Sequence, residues 1–259
     1  MRALLLIRAS PHYRRDAFER GLAAAGVTVA PGNWKPTPDD VVVIWNRYGS
    51  THSEAMRFEK AGAKVLVAEN ALVGTANYTL SLNYHNGAGW WHVGTEARWK
   101  AQGFDLKPWR AKGSKILVLP QRGFGAPDVT QPDGWADDVV RRLWKITDRP
   151  IEVRPHPGNV QPKPEPDWRD VHAVVTWGSG AGIKAICAGV PVFHEMPRWI
   201  GAPAARFGID RIEDPWIGDR GPMLHRLSWL QWTCAEIERG EPFRHLLRVP
   251  QQAEIAAAE

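Results

Sequence analysis

The segment with the most chemical content is Ala173-Val174-Val175-Thr176-Trp177-Gly178-Ser179-Gly180-Ala181-Gly182-Ile183-Lys184. A buried strand runs into a turn of small residues and straight into a helix. Backbone N–H groups at the helix start then point out of the turn with the positive end of the helix dipole behind them, which is an anion site. The GxxxxGK[ST] spacing of a Walker A loop is missing, and a dinucleotide GxGxxG match fails with Lys184 and Ala185 at its last positions. The competing reading is a tight turn that needs small residues for helix–sheet packing. Arg154-Pro155-His156-Pro157 ends the preceding strand of the same sheet and sets His156 beside that turn, as a hydrogen-bond donor to a phosphate or as a lone surface histidine. Gln121-Arg122-Gly123 closes the first strand of this half at the same edge, where Arg122 either neutralises a second phosphate or faces solvent.

Charge along the chain points to a polyanion on the other half. Residues 1–113 carry 15 Lys and Arg against 9 Asp and Glu, a net +6, while residues 114–259 carry 18 against 19, a net −1. The basic excess suggests a polyanionic partner or plain solubilising decoration. Fourteen Trp residues offer flat faces for sugar rings, bases or Arg as well as core volume. No DxD motif and no clustered metal-ligand spacing occurs, which disfavours metal-dependent transfer chemistry.

The elements that hold these groups alternate. Arg2–Ile7 reads as a strand, then a helix runs to Ala25 with Gly26 at its C-cap; Val27–Ala30 and Val41–Trp45 are strands, Ser53–Ala61 a helix capped by Gly62, and Lys64–Ala68 a strand. A parallel sheet is expected. Periodicity fades from Asn70 to Lys112, where Leu82-Asn83-Tyr84-His85-Asn86-Gly87-Ala88-Gly89-Trp90-Trp91-His92 reads as a functional loop. Lys112-Gly113-Ser114 reads as a linker, after which the alternation restarts: strand Ile116–Leu119, helix Asp133–Thr147, strand Ile151–Arg154, strand Ala173–Trp177, helix through Ala188 capped by Gly189, strand Pro191–Phe193. Leu224–Glu238 reads as a final amphipathic helix that packs back. The expected fold class is α/β, two Rossmann-like domains of residues 1–113 and 114–259 facing a cleft at the carboxyl ends of two parallel sheets.

Composition excludes several classes. With 44% hydrophobic and 24% charged residues the chain is neither disordered nor fibrous. Ala3–Ile7 and Val41–Trp45, its longest apolar runs, fall far short of the roughly 20 residues of a membrane helix. No cleavage site follows Met1-Arg2, and two cysteines without CxxC make a disulfide framework or structural zinc improbable. A cytoplasmic protein with no membrane partner and no obligate protein partner is expected.

A strand with an HP dipeptide, then a strand, a Ser/Gly turn and a helix ending in Cys187-Ala188-Gly189-Val190-Pro191-Val192-Phe193 resembles the donor half of GT-B glycosyltransferases, especially capsule-type sugar transferases. The likeness covers residues 115–195. It implies that His156, Ser179 and Gly180 approach the donor phosphates and that Glu195 takes the ribose hydroxyls, with Gln121, Arg122, Gly123, Gly178 and Lys184 around them. Size and the basic first half look like phage enzymes that glucosylate hydroxymethylated pyrimidines. That layout implies transfer from a nucleotide sugar, UDP-glucose first, onto 5-hydroxymethylcytosine in double-stranded DNA, with no further cofactor. Arg8, Arg14, Arg15, Arg47 and Arg98 would then line the DNA face, with Tyr13, Trp45 or Trp90 stacking on a flipped base. Glu69, immediately after a strand, is the expected general base, with Asp16 competing and His85 and His92 behind. The alternatives are a glycan-directed capsule or lipopolysaccharide transferase and a non-catalytic nucleotide-sugar or DNA-binding module.

Overall fold

Strands buried on both faces read as unbroken apolar runs, because helices cover both sides of a parallel sheet. Val41-Val42-Val43-Ile44 and Ile116-Leu117-Val118-Leu119 are such runs, and each of these residues is buried. The computed structural model describes all residues except 33, 84–93, 111, 124, 126–128, 159–163 and 249–259. Unit 1 comprises Met1–Ala71, Thr75–Arg98 and Ser228–Glu259; unit 2 comprises Leu72–Gly74 and Trp99–Leu227.

In chain order, β1 (Arg2–Leu6), α1 (Arg15–Ala24), β2 (Thr28–Val29), β3 (Val41–Trp45), α2 (Gly49–Lys60), β4 (Lys64–Asn70) and β5 (Tyr78–Leu82) belong to unit 1. After α3 (Ala97–Ala101) come β6 (Lys115–Leu119), α4 (Trp135–Leu143), β7 (Ile151–Val153), β8 (Val171–Thr176), α5 (Gly180–Cys187), β9 (Val192–His194) and β10 (Arg206–Phe207) of unit 2. The chain returns to unit 1 within α6 (Gly221–Leu230) and ends its described part with β11 (Gln231–Trp232), α7 (Cys234–Glu238) and α8 (Glu241–Leu246).

The sheet of unit 1 has the order β11-β5-β4-β3-β1-β2. β1 to β4 are parallel as expected, but β5 runs antiparallel to β4, and β11 antiparallel to β5. Leu4, Val42, Ile44, Val65 and Val67 pack on Ala55 and Phe58 of α2. On α1, Gly21 allows the close approach of α7: a Cβ there would lie 1.9 Å from the Ile237 carbonyl oxygen. The sheet of unit 2, order β10-β9-β8-β6-β7, is wholly parallel. Trp135, Val139 and Leu143 of α4 cover Ile116, Val118, Ala173 and Val175 on one face.

Two sequence expectations are corrected. The single helix expected over Leu224–Glu238 is broken, because Gln231 and Trp232 pair with Thr79 and Tyr78 and Thr233 starts a new helix through a capping box with Glu236. The linker at Lys112–Ser114 is not the crossing point. Lys107 N donates to Cys187 O (2.8 Å) and Arg110 N to Gly189 O (2.8 Å), which binds the preceding segment into unit 2.

Candidate functional site

In unit 2 the chain goes from β6 outward to β7 and then back past β6 to β8. The strand order therefore reverses between β6 and β8, and the carboxyl ends of these two strands form the topological switch point where ligands of such sheets bind. Gln121, Arg122 and Gly123 leave the end of β6; Trp177, Gly178 and Ser179 leave the end of β8. Ser179 is the N-cap of α5, its hydroxyl accepting from Ala181 N (3.1 Å) while its own N–H donates to Thr176 Oγ1 (3.1 Å). The glycines of this turn have a packing reason. A Cβ on Gly178 would lie 2.6 Å from Met196 Cε, on Gly180 2.7 Å from Leu72 Cδ2, and on Gly182 2.9 Å from Trp199. The turn thus meets the small-residue requirement and still presents a helix N-terminus at the switch point.

The other members of the expected donor set are placed as follows. Arg122 is exposed, and the backbone N–H of Gln121 donates to Gln131 Oε1 (2.7 Å), tying the loop after β6 to itself. His156 follows β7, which is the edge strand; β6 lies between it and β8, about two strand spacings or ~10 Å of sheet. The strand that leads to His156 is therefore not the neighbour of β8; β6, which leads to Gln121–Gly123, is. His156 Nδ1 accepts from Gly158 N (3.0 Å), which leaves the proton of the neutral ring on Nε2. Lys184 is ion-paired with Glu165. Glu195 has a structural partner set: Arg142 forks onto it at 2.7 and 2.9 Å, and Trp135 Nε1 donates at 2.7 Å. Beside it, Trp177 donates its indole N–H to Val129 O (2.8 Å) and packs edge-on against Trp135, so that indole anchors the loop after β6.

Unit 1 dissolves most of the expected cationic face. Arg47 is buried, 3% exposed in its side chain, and forks onto Glu59 at 2.7 Å twice while also donating to Asn83 O. It is an internal strut, since a guanidinium at that depth requires a carboxylate partner. Arg15 donates to Leu5 O and Ile7 O (both 2.9 Å) and to Glu19, holding the end of β1. Arg14 pairs with Asp16 and Glu238. Arg98 bonds Glu236 and the Ser228 and Gln231 carbonyls under Trp232. Arg8 is exposed and has no ion pair among the described residues.

The two carboxylates differ. Asp16 is held by Arg14 and Arg20, whose hydrogen bonds pull its pKa down to about 2, so it is a poor base at neutral pH. Glu69 is not beyond the strand; it lies within β4, half-buried and paired in register with Thr79 of β5. His85, Trp90 and His92 lie outside the described residues. Among the described residues no group of three or more His, Cys, Asp or Glu converges as a metal site, and no helix is long and apolar enough to cross a membrane.

The charge asymmetry read along the sequence does not survive folding. Ser228–Glu259 joins unit 1 and Trp99–Gly113 joins unit 2. Unit 1 then carries 14 Lys and Arg against 13 Asp and Glu, net +1, and unit 2 carries 19 against 15, net +4. The cationic excess belongs to unit 2 as a whole.

No protein-family model and no curated protein matches the chain. Among solved structures it is similar to a β-Kdo 2,4 transferase, KpsC of Thermosulfurimonas dismutans, at 12% identity over 86% of this chain and 89% of that one, with a TM-score of 0.52. It is also similar to a β-Kdo 2,7 transferase, KpsC of the same organism, at 13% identity over 92% and 98%, with a TM-score of 0.50. The likeness establishes the fold, an α/β pair of Rossmann-like units of the GT-B type.

Proposed function

We propose that this protein is a glycosyltransferase that moves a sugar from a nucleotide donor, bound at the switch point of unit 2, onto a hydroxyl of a glycan. The observation that carries the reading is the fold likeness to two transferases over both units. The net +4 of unit 2 supports it, because a nucleotide diphosphate leaving group needs positive charge where it develops. In this reading Arg122 and the amide end of α5 meet the phosphates, and His156, in the loop after β7, reaches them with its Nε2 proton. Glu69 is the base that takes the proton from the attacking hydroxyl, since Asp16 is fixed as an ion pair.

A glycan is preferred to duplex DNA as acceptor because unit 1 is nearly neutral and Arg14, Arg15 and Arg47 are engaged internally. The test incubates the protein with UDP-glucose, other nucleotide sugars and an activated Kdo, each with oligosaccharide acceptors and with 5-hydroxymethylcytosine DNA, and reads mass gain. Gain on an oligosaccharide is expected; gain on DNA alone would reverse the acceptor, and binding without any transfer would make the chain a non-catalytic module. His156→Ala and Arg122→Ala should each weaken nucleotide binding by ~1–3 kcal/mol in calorimetry. Glu69→Gln should slow transfer by ~10²–10⁴-fold while nucleotide affinity stays intact.

A further inference from the structure

The first four strands of unit 1 repeat the parallel order of the first four of unit 2. In unit 1 the strand order reverses between β1 and β3, so the segment after β1 and the end of β3 meet at a second switch point. Each unit carries a tryptophan at the end of its third strand: Trp45 is the last residue of β3, and Trp177 directly follows β8. The two indoles are used differently. Trp177 is locked by its hydrogen bond to Val129 O and by Trp135. Trp45 is half-buried, and its indole N–H has no hydrogen-bond partner among the described residues.

Around Trp45 the chain builds an aromatic corner. Tyr13 meets it edge-on with centroids 4.7 Å apart, His12 lies 4.8 Å from Tyr13 and 6.4 Å from Trp45, and Tyr78 backs it at 5.9 Å. Tyr78 donates its hydroxyl to His12 O (3.2 Å), fixing the loop after β1. Next in sequence, Asn46 is held at φ 59°, a left-handed conformation that costs free energy in a non-glycine residue. Its backbone N–H bonds Ala68 O (3.0 Å), but its carboxamide makes no hydrogen bond among the described residues. The same holds for the Tyr13 hydroxyl and the His12 imidazole. Four unpaired polar groups thus surround half-exposed aromatic faces at the place where the fold class binds ligands.

We propose that this corner is a pyranose-binding subsite, with Trp45 and Tyr13 taking the C–H face of a sugar ring and the Trp45 N–H, Tyr13 hydroxyl, His12 imidazole and Asn46 carboxamide addressing its hydroxyls. A ligand site of this kind is mostly apolar with a few placed polar groups. A flipped nucleobase fits less well, because its flanking phosphates require cations and Arg14, Arg15 and Arg47 are already paired. The inference deepens the glycan-acceptor reading and rests on it for the biological role of the bound sugar.

The experiment is saturation-transfer NMR on the full chain with a panel of neutral and carboxylated methyl pyranosides, with thymidine as competitor. At least one pyranoside should receive saturation on its ring C–H protons. Trp45→Ala should weaken that binding more than about tenfold. Trp45→Phe and Tyr13→Phe, which keep the rings and the packing against Tyr78, should each weaken it about 2- to 10-fold. Nucleotide affinity in unit 2 should stay unchanged in all three. No saturation for any pyranoside, signals that survive Trp45→Ala, or displacement by thymidine would each overturn the subsite. Loss of nucleotide binding in the unaltered protein, with pyranoside binding kept, would instead strike the transferase reading.

Discussion

Arg47 separates an internal strut from a DNA contact, and Glu59 is the residue to change. Glu59→Gln keeps the shape of the side chain and removes its charge, leaving a guanidinium that is 3% exposed facing neutral acceptors such as the Asn83 carbonyl and His52 Nδ1. Breaking one side of a buried pair costs ~3–5 kcal/mol. Glu59 is 24% exposed, so water replaces part of the lost interaction, and the expected cost falls to about 2–4 kcal/mol. At ~2–4 °C per kcal/mol for a domain of this size class, the thermal midpoint should drop by roughly 4–16 °C in circular dichroism. Arg47→Met should cost a similar amount, and combining Arg47→Met with Glu59→Leu should cost clearly less than the two changes added, because the apolar pair leaves no buried charge behind. DNA anisotropy at low salt should be the same for all variants at a temperature where they are folded. An unchanged midpoint in Glu59→Gln, or an Arg47→Met variant that keeps its midpoint and loses DNA binding, would refute the strut.

Three further outcomes follow from the geometry. Gly21→Ala should lower the thermal midpoint and loosen α7, read as faster hydrogen exchange over 233–238, because backbone must move to clear the 1.9 Å approach to Ile237 O. Burial lowers the pKa of His194 to about 4, so the unfolded chain binds the extra proton first; stability should fall as pH drops from about 6.5 towards 4 and then level, and His194→Asn, which retains a donor for Met196 O, should flatten that limb of the urea-unfolding profile. Trp135→Phe removes the N–H that reaches Glu195 and should cost ~1–2 kcal/mol in urea unfolding with nucleotide affinity unchanged; a large loss of nucleotide binding would return Glu195 to the donor site.

The alternation of strands and helices was readable because its signals are local. β3, β6 and β8 are apolar runs buried on both faces, and Gly26, Gly62 and Gly189 mark the helix ends with φ near +76°. β5 was not readable, since Tyr78-Thr79-Leu80-Ser81-Leu82 places two hydroxyl residues at fully buried positions whose burial comes from β4 and β11 rather than from their own polarity. β11 is two residues inside a helical pattern, and only its pairing with β5 defines it. The placing of Glu69 depends on the same strand: local pattern ends β4 at Ala68, and only the pairing with Thr79 of β5 carries it through Glu69 to Asn70. The charge argument failed for a related reason. A count along the chain assigns residues 228–259 to the second half, whereas β11 and α7 bring Glu236 and Glu238 onto Arg98, Arg14 and Arg20 of the first unit. Long-range return of a terminal segment leaves no local trace, so any functional reading built on halves of a sequence inherits the error, while one built on strand ends, such as the two switch points, depends only on the βα order that local pattern supplies.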